Sequence, residues 1–409
     1  MPGNWKSRLV HVAWVCFASA LSLAAAFGRP VALEDPLSSP GWRHFYNNEF
    51  EEAIRDFECE LAANPQDPNA YNHLAQSILY RELFRNGALE SELVSGNNPF
   101  LRRPKVNIAP AERIRFRNYV DKALDLIDHR LEADEHDAEA LYAASVTHGL
   151  RANYFFLVEK SWTDALRDAT ASRKYSNRLL EVEPGLTDAY LIQGLHDYVA
   201  GSLPFYMRVV GHLAGFHGDR QRGLRELKNV AQSGVLNKYD AQILLAVIYR
   251  RERRPGDAIP LLQEASQKFP GNYLLRLEQV QMYSDAGDKN SALRVLNEVD
   301  SLRADGAKGY KNLPAEKIKY LRGNLLFWYG DVNPALEDMK VATAKADELD
   351  LNTALLAWLR LGQLYDLQGR HLEAVRAYEQ TLKTAPESAV ATEAKNYIAT
   401  PYKRKQNSA

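Results

Sequence analysis

Apolar residues recur every three or four positions through most of the chain, and no run alternates apolar with polar as a half-buried strand would. That period predicts amphipathic helices. The pattern is cleanest in DAQILLAVIYRRERRPGDAIPLLQEASQKFP, which ends at Pro270, and ALLAWLRLGQLYDLQGRHLEAVRAYEQTLKTAP, which ends at Pro386. Each has a small residue in a first helix (Ala246, Gly362) and an aromatic three positions later (Tyr249, Tyr365). An alanine then opens a second helix (Ala258, Ala374), and a proline closes the unit. Proline stops a helix because it has no N–H to donate and clashes with the preceding turn. A recurring helix-turn-helix predicts an all-α, stacked α-solenoid, an architecture that binds other molecules more often than it transforms them.

The alanines opening second helices are Ala258, Ala292, Ala335 and Ala374, spaced by 34, 43 and 39 residues. The longer intervals are one unit plus loop insertions, the first near SLRADGAKGYKNLP. Small residues let the two helices of a pair approach closely, and large aromatics fill the gaps between pairs. This arrangement resembles the tetratricopeptide repeat. The resemblance implies a solenoid of stacked helical hairpins with a protein or peptide partner on its concave face.

The pattern is looser before residue 236. Gly41, Ala53, Phe57 and Pro65 fit one repeat, and Tyr71, Leu74, Ala75 and Ile78 open the next. The Gly/Asn/Pro-rich stretch RNGALESELVSGNNPFLRRPKVNIAP interrupts that repeat, and its partner helix resumes near Arg113. Further first helices are expected at Leu141–Ala144–His148 and at Tyr190–Gly194. RANYFFLVEKSW and VAGSLPFYMRVVGHLAGFHGDRQRG do not fit. The expected organisation is a signal peptide or amino-terminal anchor over 1–26, degenerate repeats over 37–235, and regular repeats with a carboxy-terminal capping helix over 236–400.

Lys6 and Arg8 precede the apolar run LVHVAWVCFASALSLAAAF, which ends in Ala24-x-Ala26. Basic flank, apolar run and small-residue site are the layout of a secretory signal. The run at 9–27 is also close to a membrane-spanning length. Either reading puts the repeats in the periplasm or cell envelope of a bacterium. At 409 residues the chain exceeds one ordinary core, a limit solenoids escape because each unit packs only on its neighbours. A net charge of −1 argues against a nucleic-acid partner. The basic end TPYKRKQNSA reads as a fraying tail of solvated charge. Cleavage of the signal would leave Cys59 as the lone cysteine, expected to be a small core residue beside Phe57.

No catalytic constellation emerges: there is no phosphate loop, no His-Glu-x-x-His, no Cys-x-x-Cys and no Gly-x-Ser-x-Gly. No enzyme activity, cofactor, metal or small-molecule substrate is therefore expected. His129, Asp134, Glu135, His136 and Asp137 read as a solvated turn, and His196, His212 and His217 have no compact ligand spacing. The segment from His196 to Leu227 resembles a stretch of the tetratricopeptide-repeat-39 and inclusion-body-clearance family, through Ser202-Leu203-Pro204, Gly215-Phe216-His217-Gly218-Asp219-Arg220 and Gly223-Leu224. Residues 203–216 are expected to be a core helix. The alternative is a partner- or membrane-facing helix, which would make the protein a membrane- or lipid-associated accessory factor.

The resemblance also implies where a partner would sit. In tetratricopeptide arrays the concave face is built from the second, fifth, ninth, twelfth and thirteenth positions of first helices. This numbering selects Arg250, Gln281, Tyr320, Asn324, Phe327, Gln363 and Asp366 as partner-binding residues. The basic clamp with which co-chaperone members hold a peptide carboxylate is missing. Apolar and amide groups suit an extended peptide or an amphipathic helix instead.

Overall fold

A computed structural model describes residues 30–89, 106–202 and 218–404. The signal-like run, the interruption at 90–105 and the apolar segment at 203–216 all lie outside the described residues, as do His212 and His217. Among the described residues there are helices and turns but no strand, which makes the protein an all-α chain of tetratricopeptide-type helical hairpins. No helix among them is long and apolar enough to cross a membrane. The helices form two compact units, one holding 30–85 and 106–245, the other 86–89 and 246–404.

The first unit contains α1 (Pro40–Tyr46), α2 (Phe50–Ala63), α3 (Pro68–Arg85), α4 (Pro110–Ala133), α5 (Ala138–Tyr154), α6 (Trp162–Val182), α7 (Tyr190–Gly201), α8 (Arg220–Ser233) and the start of α9 (Lys238–Arg251). Consecutive helices pair as hairpins, and α3 also touches α5, so first helices lie side by side. Gly41 permits the closest approach of α1 and α2: a methyl there would sit 2.5 Å from the Phe57 ring. Gly194 does the same for α7 and α8, facing the Gly223 carbonyl and Leu227.

RANYFFLVEKSW departs from the repeat because α5 runs into a π-helical turn, Phe155–Glu159, which ends at Lys160 in a left-handed conformation. Before α1, Val31 joins the apolar cluster of Leu141, Leu179 and Leu186, and its N–H donates to Glu183 at 3.0 Å. Cys59 is exposed, contrary to expectation. The core face of α2 is Ala53, Ile54 and Phe57, and a residue two past Phe57 lies about 200° further round the helix.

Side chains also cross the first unit. The Tyr46 hydroxyl of α1 donates to Asp240 of α9 at 2.9 Å, and its ring packs on Tyr239. Tyr142 donates to Asn237 at 3.2 Å. The buried Asp188 accepts from the N–H groups of Val235 and Asn237, which lead into α9. Burial raises the carboxyl of Asp240 to about 6 against the opposing effect of Tyr46, and burial likewise pushes the Tyr80 hydroxyl up to about 12. At the α2–α3–α4 junction, buried Arg81 meets Glu82 at 3.0 Å, Glu112 at 2.5 Å and Glu51 at 3.3 Å.

The second unit holds the end of α9, then α10 (Pro255–Lys268), α11 (Tyr273–Asp285), α12 (Lys289–Ala304), α13 (Ala315–Tyr329), α14 (Val332–Ala344), α15 (Leu351–Leu367), α16 (His371–Thr384) and the closing helix α17 (Ala389–Ala399). From α11 onward each second helix packs back on its own first helix and forward on the next, α10 packs on α11, and α13 touches α15 as α15 touches α17. All four alanines that open second helices are fully buried. Gly362 explains its place in the pattern: a methyl there would lie 2.3 Å from the Tyr378 ring. The turns after α11, α13 and α15 use Gly287, Gly330 and Gly369 at positive φ, whereas α9 is followed by Arg253 at φ 56. The insertion before α13 is packed, with Tyr310 and Leu313 buried against Val299 and Ile318.

Candidate functional site

Five of the seven expected partner residues gather where α13, α15 and the end of the chain meet. Tyr320 and Phe327 share a face of α13 because they lie two helical turns apart. That face points into the core: Phe327 has no exposed surface and Tyr320 only 2%. They pack with Leu336, Met339, Leu361 and Leu364. With Arg360 and Tyr402 against it, the Phe327 ring has no surface left for a partner. Both rings support the site from beneath.

Arg360 of α15 covers Phe327. Its guanidinium carbon lies 4.0 Å from the centre of the Phe327 ring and 4.8 Å from that of Trp328. The same group donates to the amide oxygens of Asn324 at 3.0 Å and Gln363 at 2.5 Å. Both amide oxygens thus orient Arg360, whose guanidinium also lies near two aromatic rings set at 84° to each other. Trp328 stays 61% exposed beside it, an aromatic surface at the end of α13.

Asp366, one turn past Gln363, is an acceptor for three groups. His371 Nδ1 lies 2.7 Å from Oδ1, and the Tyr378 hydroxyl donates to Oδ2 at 2.7 Å. The backbone N–H of Tyr402 donates to Oδ2 at 2.8 Å. The carboxylate side chain is wholly enclosed. Burial, with the Asp366 hydrogen bond second, raises the Tyr378 hydroxyl far above its ordinary value and keeps it a donor. Burial, with Glu393 second, pushes Tyr397 up to about 12.

Tyr402 and Arg404, in the tail expected to fray, lie against the helices. Tyr402 packs against Phe327 and edge-on against Tyr397, with ring centres 5.9 and 5.2 Å apart. The Arg404 guanidinium donates to the Phe327 carbonyl and lies 5.3 Å from the centre of its ring. Phe327 O is one of the last carbonyls of α13, where a cation is favoured by the helix dipole.

The remaining two residues are engaged elsewhere. Arg250 is buried and pairs with Glu278 at 3.2 Å, and Gln281 donates to Asp285 at 2.8 Å. Sequence reasoning missed Trp328, Arg360, Tyr402 and Arg404. Trp328 occupies the thirteenth position, which the repeat numbering does select. Arg360 lies three residues before Gln363, on the same helix face. Tyr402 and Arg404 follow the last helix and carry no periodic signal.

The metal candidates are occupied otherwise. Asp137 caps α5 through the Ala140 N–H and pairs with Arg130 at 2.8 Å. Asp197 pairs with Arg173 and Arg222, and Asp219 caps α8 through Gln221 and Arg222. Among the described residues no three His, Cys, Asp or Glu side chains converge as metal ligands would.

Three family models, each described as a tetratricopeptide repeat, match residues 211–273, 249–313 and 356–388. The chain is therefore a tetratricopeptide-repeat protein through those segments, and such repeats form protein-interaction scaffolds. No curated protein matches the sequence. Among solved structures it is similar to yeast Tom70, with 13% identity over 89% of this chain and 88% of that one, at a TM-score of 0.38. It is also similar to the human IFIT1 dimer with PPP-AAAA, with 16% identity over 83% and 70%, at 0.44. A second structure, the human IFIT1 dimer with m7Gppp-AAAA, shows 13% identity over 88% and 80%, at 0.43.

Proposed function

We infer that this protein is an exported, non-catalytic scaffold that holds a protein or peptide partner in the bacterial cell envelope. The observation that carries the reading is the exposed Trp328 ring, at the thirteenth position of its first helix, beside the Arg360 guanidinium that lies over Phe327. Exposed tryptophan next to an oriented arginine is the composition of an interface anchor. Export is supported by the Lys6/Arg8 flank, the apolar run at 9–27 and the Ala24-x-Ala26 site.

The test is cross-linking capture from native envelope, read by mass spectrometry, with wild type beside Trp328→Ala. Loss of the captured partner with an unchanged circular dichroism spectrum is expected. An identical partner profile would move the binding surface away from α13. Fractionation and amino-terminal sequencing test the location: a mature end at Phe27 is expected, and protein retained in the cytoplasm would overturn the export reading. The second reading, a lipid-associated factor acting through 203–216, rests on sequence alone.

A further inference from the structure

The contacts of residues 402–404 are those of a bound peptide. An extended segment leaves α17, offers one backbone N–H to Asp366, packs an aromatic ring against Phe327 and Tyr397, and places a guanidinium on the Phe327 ring and carbonyl. Each element of extended-peptide recognition is present: main-chain pairing, a side-chain seat and a charge seat two residues beyond it. His371 and Tyr378 hold the Asp366 carboxylate in place, which fixes the oxygen it offers to the main chain. Arg404 reaches the carboxy-terminal end of α13, where a partner's cation would be equally well placed.

We propose that the surface contacted by Tyr402 and Arg404 is a peptide site whose resident occupant is the chain's own Tyr402-Lys403-Arg404, and that it accepts from a partner an extended aromatic-x-arginine segment in exchange. This rests on the scaffold reading and names the ligand class for it. Tyr402 and Arg404 lie on α13, α15 and α17 without belonging to any helix, so the segment can leave while the hairpins beneath it stay packed. The exposed Trp328 ring then extends the seat for a longer ligand. A partner must compete with a tethered segment whose effective concentration is on the order of millimolar. The exchange therefore favours partners that also reach Trp328.

The test uses the full chain and a fluorescent, amidated peptide Thr-Pro-Tyr-Lys-Arg, followed by anisotropy. Tyr402→Ala/Arg404→Ala removes the resident side chains. This variant is expected to bind the peptide at least ~10-fold more tightly than wild type, as release from a tethered competitor requires. A peptide with alanine in place of its tyrosine and arginine should bind neither chain. Equal titrations for the two proteins, or equal binding of the alanine peptide, would overturn the proposal. If the double variant loses helix signal, Arg404→Ala alone gives the same comparison, since its contacts are limited to the end of α13. Envelope capture by the same variants separates the two ideas. A chain that captures its partner through Trp328 but never takes the peptide sinks the exchange and leaves the scaffold. One that takes the peptide but captures nothing does the reverse.

Discussion

Adding one methyl group to Gly362 and to Gly149 should move stability in opposite directions. Both glycines lie inside helices, where alanine is preferred by ~1 kcal/mol. At Gly149 the new carbon would meet Ser172 Oγ at 3.5 Å and Ile192 at 3.9 Å, which is ordinary contact. The propensity gain therefore survives, and Gly149→Ala should stabilise α5 by ~0.5–1 kcal/mol. At Gly362 the carbon would lie 2.3, 2.6 and 2.7 Å from three atoms of the Tyr378 ring. That ring is fully buried, and its hydroxyl is fixed to Asp366.

Overpacking costs ~1–3 kcal/mol, and displacing the ring would also weaken a charge-assisted hydrogen bond worth ~1.5–3 kcal/mol. After subtracting the propensity gain, Gly362→Ala should lose ~2–4 kcal/mol. A single melting temperature is poorly defined for a chain of two units, so the assay is amide hydrogen exchange over 351–384 and 138–182. Protection should fall in the first window for Gly362→Ala and rise in the second for Gly149→Ala. Unchanged or increased protection of α15 in Gly362→Ala would refute the close-approach argument.

Asp240 should make the first unit more stable in mild acid. Its folded value of about 6 lies above the unfolded ~3.9, so the folded state holds a proton that the unfolded state releases. Stability from this group is full below ~4 and is lost as pH rises through about 6, a difference of up to ~3 kcal/mol. Asp240→Asn should flatten that dependence in urea titrations between pH 4 and 7 while still accepting from Tyr46. Arg81→Ala should cost ~1–3 kcal/mol, because it removes the buried cation shared by Glu82, Glu112 and Glu51, while Arg85 at 2.9 Å still reaches Glu82. A loss under 1 kcal/mol in the same titration would mean that water replaces it. Arg253→Gly should raise stability by ~0.5–1 kcal/mol by removing a side chain from a left-handed turn. Calorimetry showing a lower transition would count against this.

The sequence made the helix pairs legible because close approach leaves a residue-level mark. Gly41, Gly194 and Gly362 each face a group that tolerates no methyl, and the alanines opening second helices have no room for more. The binding surface was less legible. Seven-residue spacing places Tyr320 and Phe327 on one face but does not say whether that face meets a groove or a neighbouring helix. Arg360 decides it by lying over Phe327, and no periodicity reports a contact between residues 33 apart. The seat of Tyr402 and Arg404 lies beyond the last repeat, where positional reasoning stops. Cys59 failed for a simpler reason: nearness in sequence to Phe57 is not nearness on the helix face.

The hydrogen bond from Tyr46 to Asp240 has a consequence for how the first unit forms. In a stack whose members touch only their neighbours, folding can begin anywhere and spread. Here the first helix is tied to a residue 194 positions later. A chain appearing at ~5–20 residues per second would carry Tyr46 for ~10–40 s before Asp240 emerges. Through that interval α1 can already pack on α2 and α3 through Phe50, Phe57 and His73, and its tie to α9 is the part that locks last. The first unit should thus gain its final protection in one late step, well after its individual hairpins have formed.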